Sequence, residues 1–283
     1  MPDARLLTER GCGFPLKRRF VAALAVFALF SLQAAEIAVV APGSGFGQNL
    51  GKHMVRWLGQ NNVAADLVDE KNVSTGLKGK RLALLVMPKD AQLAALSAFA
   101  SRGGRMFAFY SDSPKIAALF GVKLEGYRKA DGNGTFSKIV LDKTAPPGAP
   151  PEITQSSANI FSASAVKGKS RVIAWWHDRA GRSTGQAAVL ASNVGWWMTH
   201  VLLADGDERA KSQFLASVAG MSVPGSWSYA AFVAKRKAAR ERTETTPAAS
   251  SLPPTITMYG TFISCAPRIF APSFSAVVST SQR

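Results

Sequence analysis

Between residues 36 and 110 four short apolar runs alternate with stretches of helical periodicity, and few folds accommodate that order. Residues 36–41 (EIAVVA), 63–68, 81–87 (RLALLVM) and 105–110 read as strands. The first and third are apolar almost throughout, as expected of strands covered on both faces. Phe46, Leu50, Met54, Trp57 and Leu58 recur at three- and four-residue steps after the first run. Leu93, Leu96, Phe99 and Ala100 do the same after the third, with Asp90 as N-cap and Gly103 as terminator. Ser113 and Pro114 announce a short helix over residues 115–120, stopped by Gly121. The connections are too long for hairpins, so the pattern predicts an α/β fold with a parallel sheet and helices on both faces.

Right-handed crossovers give such a sheet the order 2-1-3-4, as in flavodoxin-like folds. The second half is richer in strands. Residues 136–141, 171–176, 187–191 and 196–203 read as extended, with a proline-rich loop over 146–151. A last helix is expected from Asp205, with Glu208 completing a capping box, Phe214, Leu215 and Val218 facing inward, and Gly220 closing it.

Outside residues 36–227 the character changes. Lys17, Arg18 and Arg19 precede the apolar run 20–32, which Ala34 and Ala35 follow, so residues 1–35 read as a signal peptide. The run is short for a bilayer span, and membrane contact is expected only through this segment if it stays uncleaved. The expected location is secreted or periplasmic. Residues 228–244 read as a basic helix or linker, and from Thr245 to Arg283 there is no Asp or Glu. The span 228–283 is therefore expected to be a linker with a disordered or aberrant tail. With Cys12 in the signal, Cys265 has no partner for an intramolecular disulfide.

The formal charge is +16. Residues 1–35 hold +3 of it and residues 228–283 hold +5, leaving +8 spread over the folded part without a dense stripe. That distribution speaks against a nucleic-acid partner.

In an open parallel sheet, chemistry belongs at the carboxyl ends of the strands. The expected ligand-binding crevice is Gly43, Ser44, Gly45, Pro88, Lys89, Tyr110 and Ser111. The glycines after the first run match neither a dinucleotide fingerprint nor a Walker sequence, and a tight turn explains them. Ser111 follows the fourth strand, where a nucleophile elbow would lie, but it lacks the flanking glycines. Ser111, Asp112 and His177 are the catalytic candidates. The three histidines have no metal-ligand spacing, and no metal or cofactor is expected. Trp175-Trp176 and Trp196-Trp197 should each turn one ring outward, and Trp176, Trp196 and Trp197 are the expected aromatic surface.

Residues 99–122 (FASRGGRMFAFYSDSPKIAALFGV) and 193–220 (NVGWWMTHVLLADGDERAKSQFLASVAG) resemble the N-terminal, amidotransferase-like domain of bacterial family 10 glycosylhydrolase-like proteins. The resemblance spans about residues 36–227. It implies a class I glutamine amidotransferase-like sheet placed ahead of a TIM-barrel hydrolase. Class I amidotransferases set a cysteine on the elbow after the fourth strand, where this chain has Tyr110-Ser111-Asp112. The 56 residues after Trp227 are too few for a barrel of about 250. The expectation is a non-catalytic accessory or binding domain of a secreted carbohydrate-active protein, the front end of a longer chain cut or frameshifted near Thr245. Its expected partners are a carbohydrate or the barrel domain. The alternatives are a hydrolase using Ser111 or His177, and a structural module that docks a partner domain.

Overall fold

A computed structural model describes the backbone of residues 35–245 and the side chains of residues 35–239. The chain divides into two units, Met1–Ala238 and Ala239–Arg283, and every strand among the described residues belongs to the first. The expected signal peptide and the tail beyond Thr245 lie outside the described residues.

The first four strands are β1 (Ile37–Ala41), β2 (Asp66–Asp69), β3 (Leu82–Val86) and β4 (Arg105–Phe109). Between and after them lie α1 (Gly45–Gln60), the single turn α2 (Val73–Gly76), α3 (Leu93–Ser101) and α4 (Pro114–Leu119). The strands pair in parallel in the expected order 2-1-3-4. Every residue of β1 and β3 is buried, which is why those runs carry no polar alternation. Ile37 and Val39 face one layer, with α1; Ala38 and Val40 face the other, with α3 and α4. Gly51 lets α1 lie close on β1, since a methyl group there would come within 2.7 Å of the Ala41 Cβ.

The second half makes the sheet mixed rather than parallel. Its strands are β5 (Val122–Lys129), β6 (Phe136–Leu141), β7 (Glu152–Ser157), β8 (Asn159–Ala165), β9 (Ser170–His177), β10 (Ser183–Ser192) and β11 (Gly195–Met198). The nine-stranded order is β2-β1-β3-β4-β11-β10-β9-β6-β7, and β5 with β8 forms a separate antiparallel pair. β11 is the seam, parallel to β4 and antiparallel to β10. At its first residue Gly195 has φ +140°, and a Cβ there would meet the Met106 carbonyl oxygen at 1.8 Å, so only glycine starts this strand.

α5 (Glu208–Ser222) covers the seam on the α1 side, with Phe214 edge-on to Phe107 at 5.7 Å. Ser212 Oγ donates to the Trp57 carbonyl at 2.8 Å and ties it to α1. α5 starts later than expected. Asp207, in a left-handed conformation, takes the N-cap position but makes no cap bond with its side chain, which accepts from the Thr154 N–H at 2.7 Å instead. The basic segment is a helix, α6 (Tyr229–Thr245).

Candidate functional site at the carboxyl ends of the strands

Two residues other than glycine turn the chain at neighbouring strand ends with positive φ: Met87 (+53°) after β3 and Tyr110 (+52°) after β4. Such backbone costs on the order of 1 kcal/mol or more and persists only where its surroundings fix it. Here the Met87 N–H donates to the Phe109 carbonyl at 2.9 Å, and the Tyr110 N–H to the Met198 carbonyl at 3.1 Å. The elbow position is therefore Tyr110, one residue before the serine that the sequence suggested.

Tyr110 is not set up as a nucleophile. Its hydroxyl bonds the Asn159 side chain. Its ring lies against Phe161 at 4.6 Å and His200 at 4.9 Å. Burial, with Tyr127 and Asp112 adding like charge, pushes the phenol above its ordinary pKa and so holds it protonated.

His200 lies one residue past Thr199, at the end of β11, and is buried. Its Nδ1 is 3.0 Å from the Val201 carbonyl, with Gln155 Nε2 and Ser157 Oγ each at 3.4 Å. Burial lowers its pKa, outweighing the carbonyl and Asp205, so the neutral imidazole is favoured.

Ser111 is a structural residue. It is 2% exposed, its Oγ donates to the Pro88 carbonyl at 2.6 Å, and it accepts from the Ser113 N–H at 3.2 Å. Ser113 caps α4 by accepting from the Ile116 N–H at 3.0 Å and also bonds Asp90, whose carboxylate meets Lys115 at 3.1 Å. These bonds to Ser113 and Lys115 lower the Asp90 pKa. The turns carrying Pro88, Lys89, Tyr110 and Ser111 are thus stitched together. Asp112 is exposed.

Gly43, Ser44 and Gly45 open α1 at the same edge, with the Asp69 carboxylate packed against Gly43. His177 ends β9, three strands from β4, which is about 14 Å. Its Nδ1 faces the Gly181 carbonyl at 2.8 Å, and Asp178 beside it is taken by the Arg182 N–H and guanidinium. The structure therefore does not bring His177 to Ser111, and His177 has no free carboxylate beside it.

The expected aromatic surface is corrected. Trp176, Trp196 and Trp197 are at most 2% exposed. Alternation holds on β9, where Trp175 is the outward ring at 38% exposure. It fails on β11 because that strand is covered on both faces, Trp196 by the α5 layer and Trp197 by the α4 layer.

Three residues of this edge escaped the sequence reading: Tyr110 as the elbow residue, Asn159 as its partner, and Lys211. The last is fully buried, with Nζ donating to the Leu203 and Gly206 carbonyls at 2.8 and 2.9 Å, to Asp205 Oδ1 at 2.8 Å, and to the Asp205 carbonyl. Its signal was present, since Lys211 falls on the same helical face as Phe214, Leu215 and Val218.

Among the described residues no group of three His, Cys, Asp or Glu side chains is placed to hold a metal ion, and no helix is long and apolar enough to cross a membrane.

No family model matches the chain, and no curated protein matches it. Solved structures do. A β-galactosidase from Rahnella sp. R3 aligns with TM-score 0.51 and 15% identity over 73% of this chain and 35% of its own. A β-galactosidase from Bacillus circulans sp. alkalophilus aligns with TM-score 0.51 and 12% identity over 66% and 31%. A glutamine amidotransferase from Thermotoga maritima aligns at TM-score 0.41 with 9% identity over 75% and 86%, too slight a likeness to weigh. This chain thus spans about a third of the length of the two galactosidases, and what it shares with them is an α/β fold.

Proposed function

We propose that this chain is a non-catalytic binding module of an exported, carbohydrate-active protein, and that its carboxyl-end crevice holds a neutral sugar. One observation carries the reading. The elbow after β4 keeps its strained backbone, but its side chain is a protonated tyrosine bonded to Asn159. A site shaped for a nucleophile and filled by a phenol is suited to binding rather than bond-making. Tyr127, 60% exposed and edge-on to Phe161, offers an open aromatic ring beside Tyr110, and rings of this kind stack on sugar faces. The two galactosidases, which hold the shared fold within a longer chain, agree with a carbohydrate setting.

Glycan arrays and calorimetric titration of the full chain test this. A neutral oligosaccharide is expected to bind, and Tyr127→Ala is expected to weaken it about tenfold or more without changing Tm. Turnover of a glycoside or of glutamine, abolished by Ser111→Ala while the fold is retained, would replace this reading with a hydrolase.

A further inference from the structure

At the opposite edge of the sheet, where β4, β9 and β11 begin and β10 ends, lies a cleft of about 500 Å³. Arg105, Lys169 and Arg171 line it, together with Thr144 and Asn193, over the ring of Trp196. No carboxylate is among its lining residues. The nearest in sequence, Asp142, is occupied by the N–H and hydroxyl of Thr144, each at 2.7 Å.

No ion pair among the described residues involves Arg105, Lys169 or Arg171, and Asp142, which shares Thr144 Oγ1 with Arg171, is the carboxylate next to this cluster. Arg105 is the most notable. Its Cζ sits 4.7 Å over the Trp196 ring, and its Nε is buried without a hydrogen-bond partner. A guanidinium stays charged in such a place, and leaving that one N–H dry and unpaired is costly. Its planar fork matches the oxygens of a carboxylate or phosphate. Arg171 reaches in from β9, where its Nε lies 3.4 Å from Thr144 Oγ1, a long contact that leaves most of its donors unused. The anchoring strands stand about 14 Å apart, so the two arms approach a ligand from opposite ends.

We propose that this cleft binds a small molecule carrying two or more oxyanion groups, one on Arg105 over Trp196 and another on Arg171 and Lys169. The site is separate from the crevice at the other edge and does not depend on what that crevice holds. Carboxylate and phosphate share the chemistry, and two probes separate them.

Thermal shift and titration calorimetry of the full chain with inorganic pyrophosphate and with citrate, at low and at physiological salt, test the proposal. At least one anion is expected to raise Tm and bind. Preference for pyrophosphate identifies a phosphate ligand, and preference for citrate a carboxylate. Arg105→Met, which keeps a cover on Trp196, and the exposed Arg171→Gln should each weaken binding about tenfold or more. Lys52→Gln, on an exposed turn of α1, should leave it unchanged. The proposal is overturned if neither anion binds, if binding survives Arg171→Gln and Arg105→Met, or if Lys52→Gln weakens it equally. Arg171→Gln alone decides the matter if Arg105→Met fails to fold.

Discussion

At the carboxyl ends of β4 and β11 the polar groups answer one another, while at the amino ends of the same two strands they do not. On the first edge Asp90 is held by Ser113 and Lys115, Asp205 by Lys211 and the Ser156 N–H, and Tyr110 by Asn159. On the second, Arg105 has only the face of Trp196, and Arg171 only a long contact to Thr144. Polar groups satisfied within the chain hold loops in place. Of the two arginines, Arg105 buries an unpaired donor, its Nε, a rare arrangement in a native fold, while Arg171 is exposed. The edge where such folds usually work is here the more self-contained of the two, and the edge usually assigned to structure has bonding capacity to spare.

Lys211→Met should give the largest response. It strips three carbonyls and a carboxylate of the ammonium that gathers them, and is expected to cost about 3 kcal/mol or more, read as a fall in the urea midpoint. If the loss is trivial, the first edge is not held from within. A smaller effect should follow acidification. His200 is depressed by burial below its ordinary 6.5, so between those two values the unfolded chain binds a proton that the folded chain refuses. The stability it contributes is present above pH 6.5 and is lost as the pH falls toward its folded value. His200→Gln should flatten that part of the stability–pH curve. Arg105→Met should change stability least, within about 1 kcal/mol of zero, because the cation–π contact it loses is offset by relief of a desolvated charge. A large loss there would mean that Arg105 is a structural residue and that the two edges do not differ.

The parallel half was legible because its chemistry is redundant. Runs such as LALLV are buried on both faces, and each is followed by an amphipathic stripe or a capped helix. β7 was illegible for the opposite reason. Its inward residues are Ile153, Gln155 and Ser157, so two of three core-facing side chains are polar and the alternation in hydrophobicity disappears. Gln155 is tolerated inside because it bonds Ser157, the Val201 carbonyl and the Leu203 N–H, the last two 46 and 48 residues away where no local pattern announces them. β5 was missed because six of its eight residues end exposed in a two-stranded ribbon. The turn after β4 was expected to centre on Ser111, and its positive φ falls on Tyr110. Which residue turns it is decided by a backbone angle, and the sequence YSDS offers serine as readily as tyrosine.

The seam has a kinetic consequence. Met106 and Gly195, paired across β4 and β11, lie about 90 residues apart in the chain. Closing so long a loop costs entropy that the local crossovers of β1 to β4 do not incur, so this pairing belongs late in folding. Tyr110 and His200 meet at one end of the seam, and Arg105 and Trp196 at the other. Both clefts therefore depend on the same long-range pairing. A ligand in either would act as a latch on the finished chain, adding stability in proportion to its occupancy and lending none to any partly folded form.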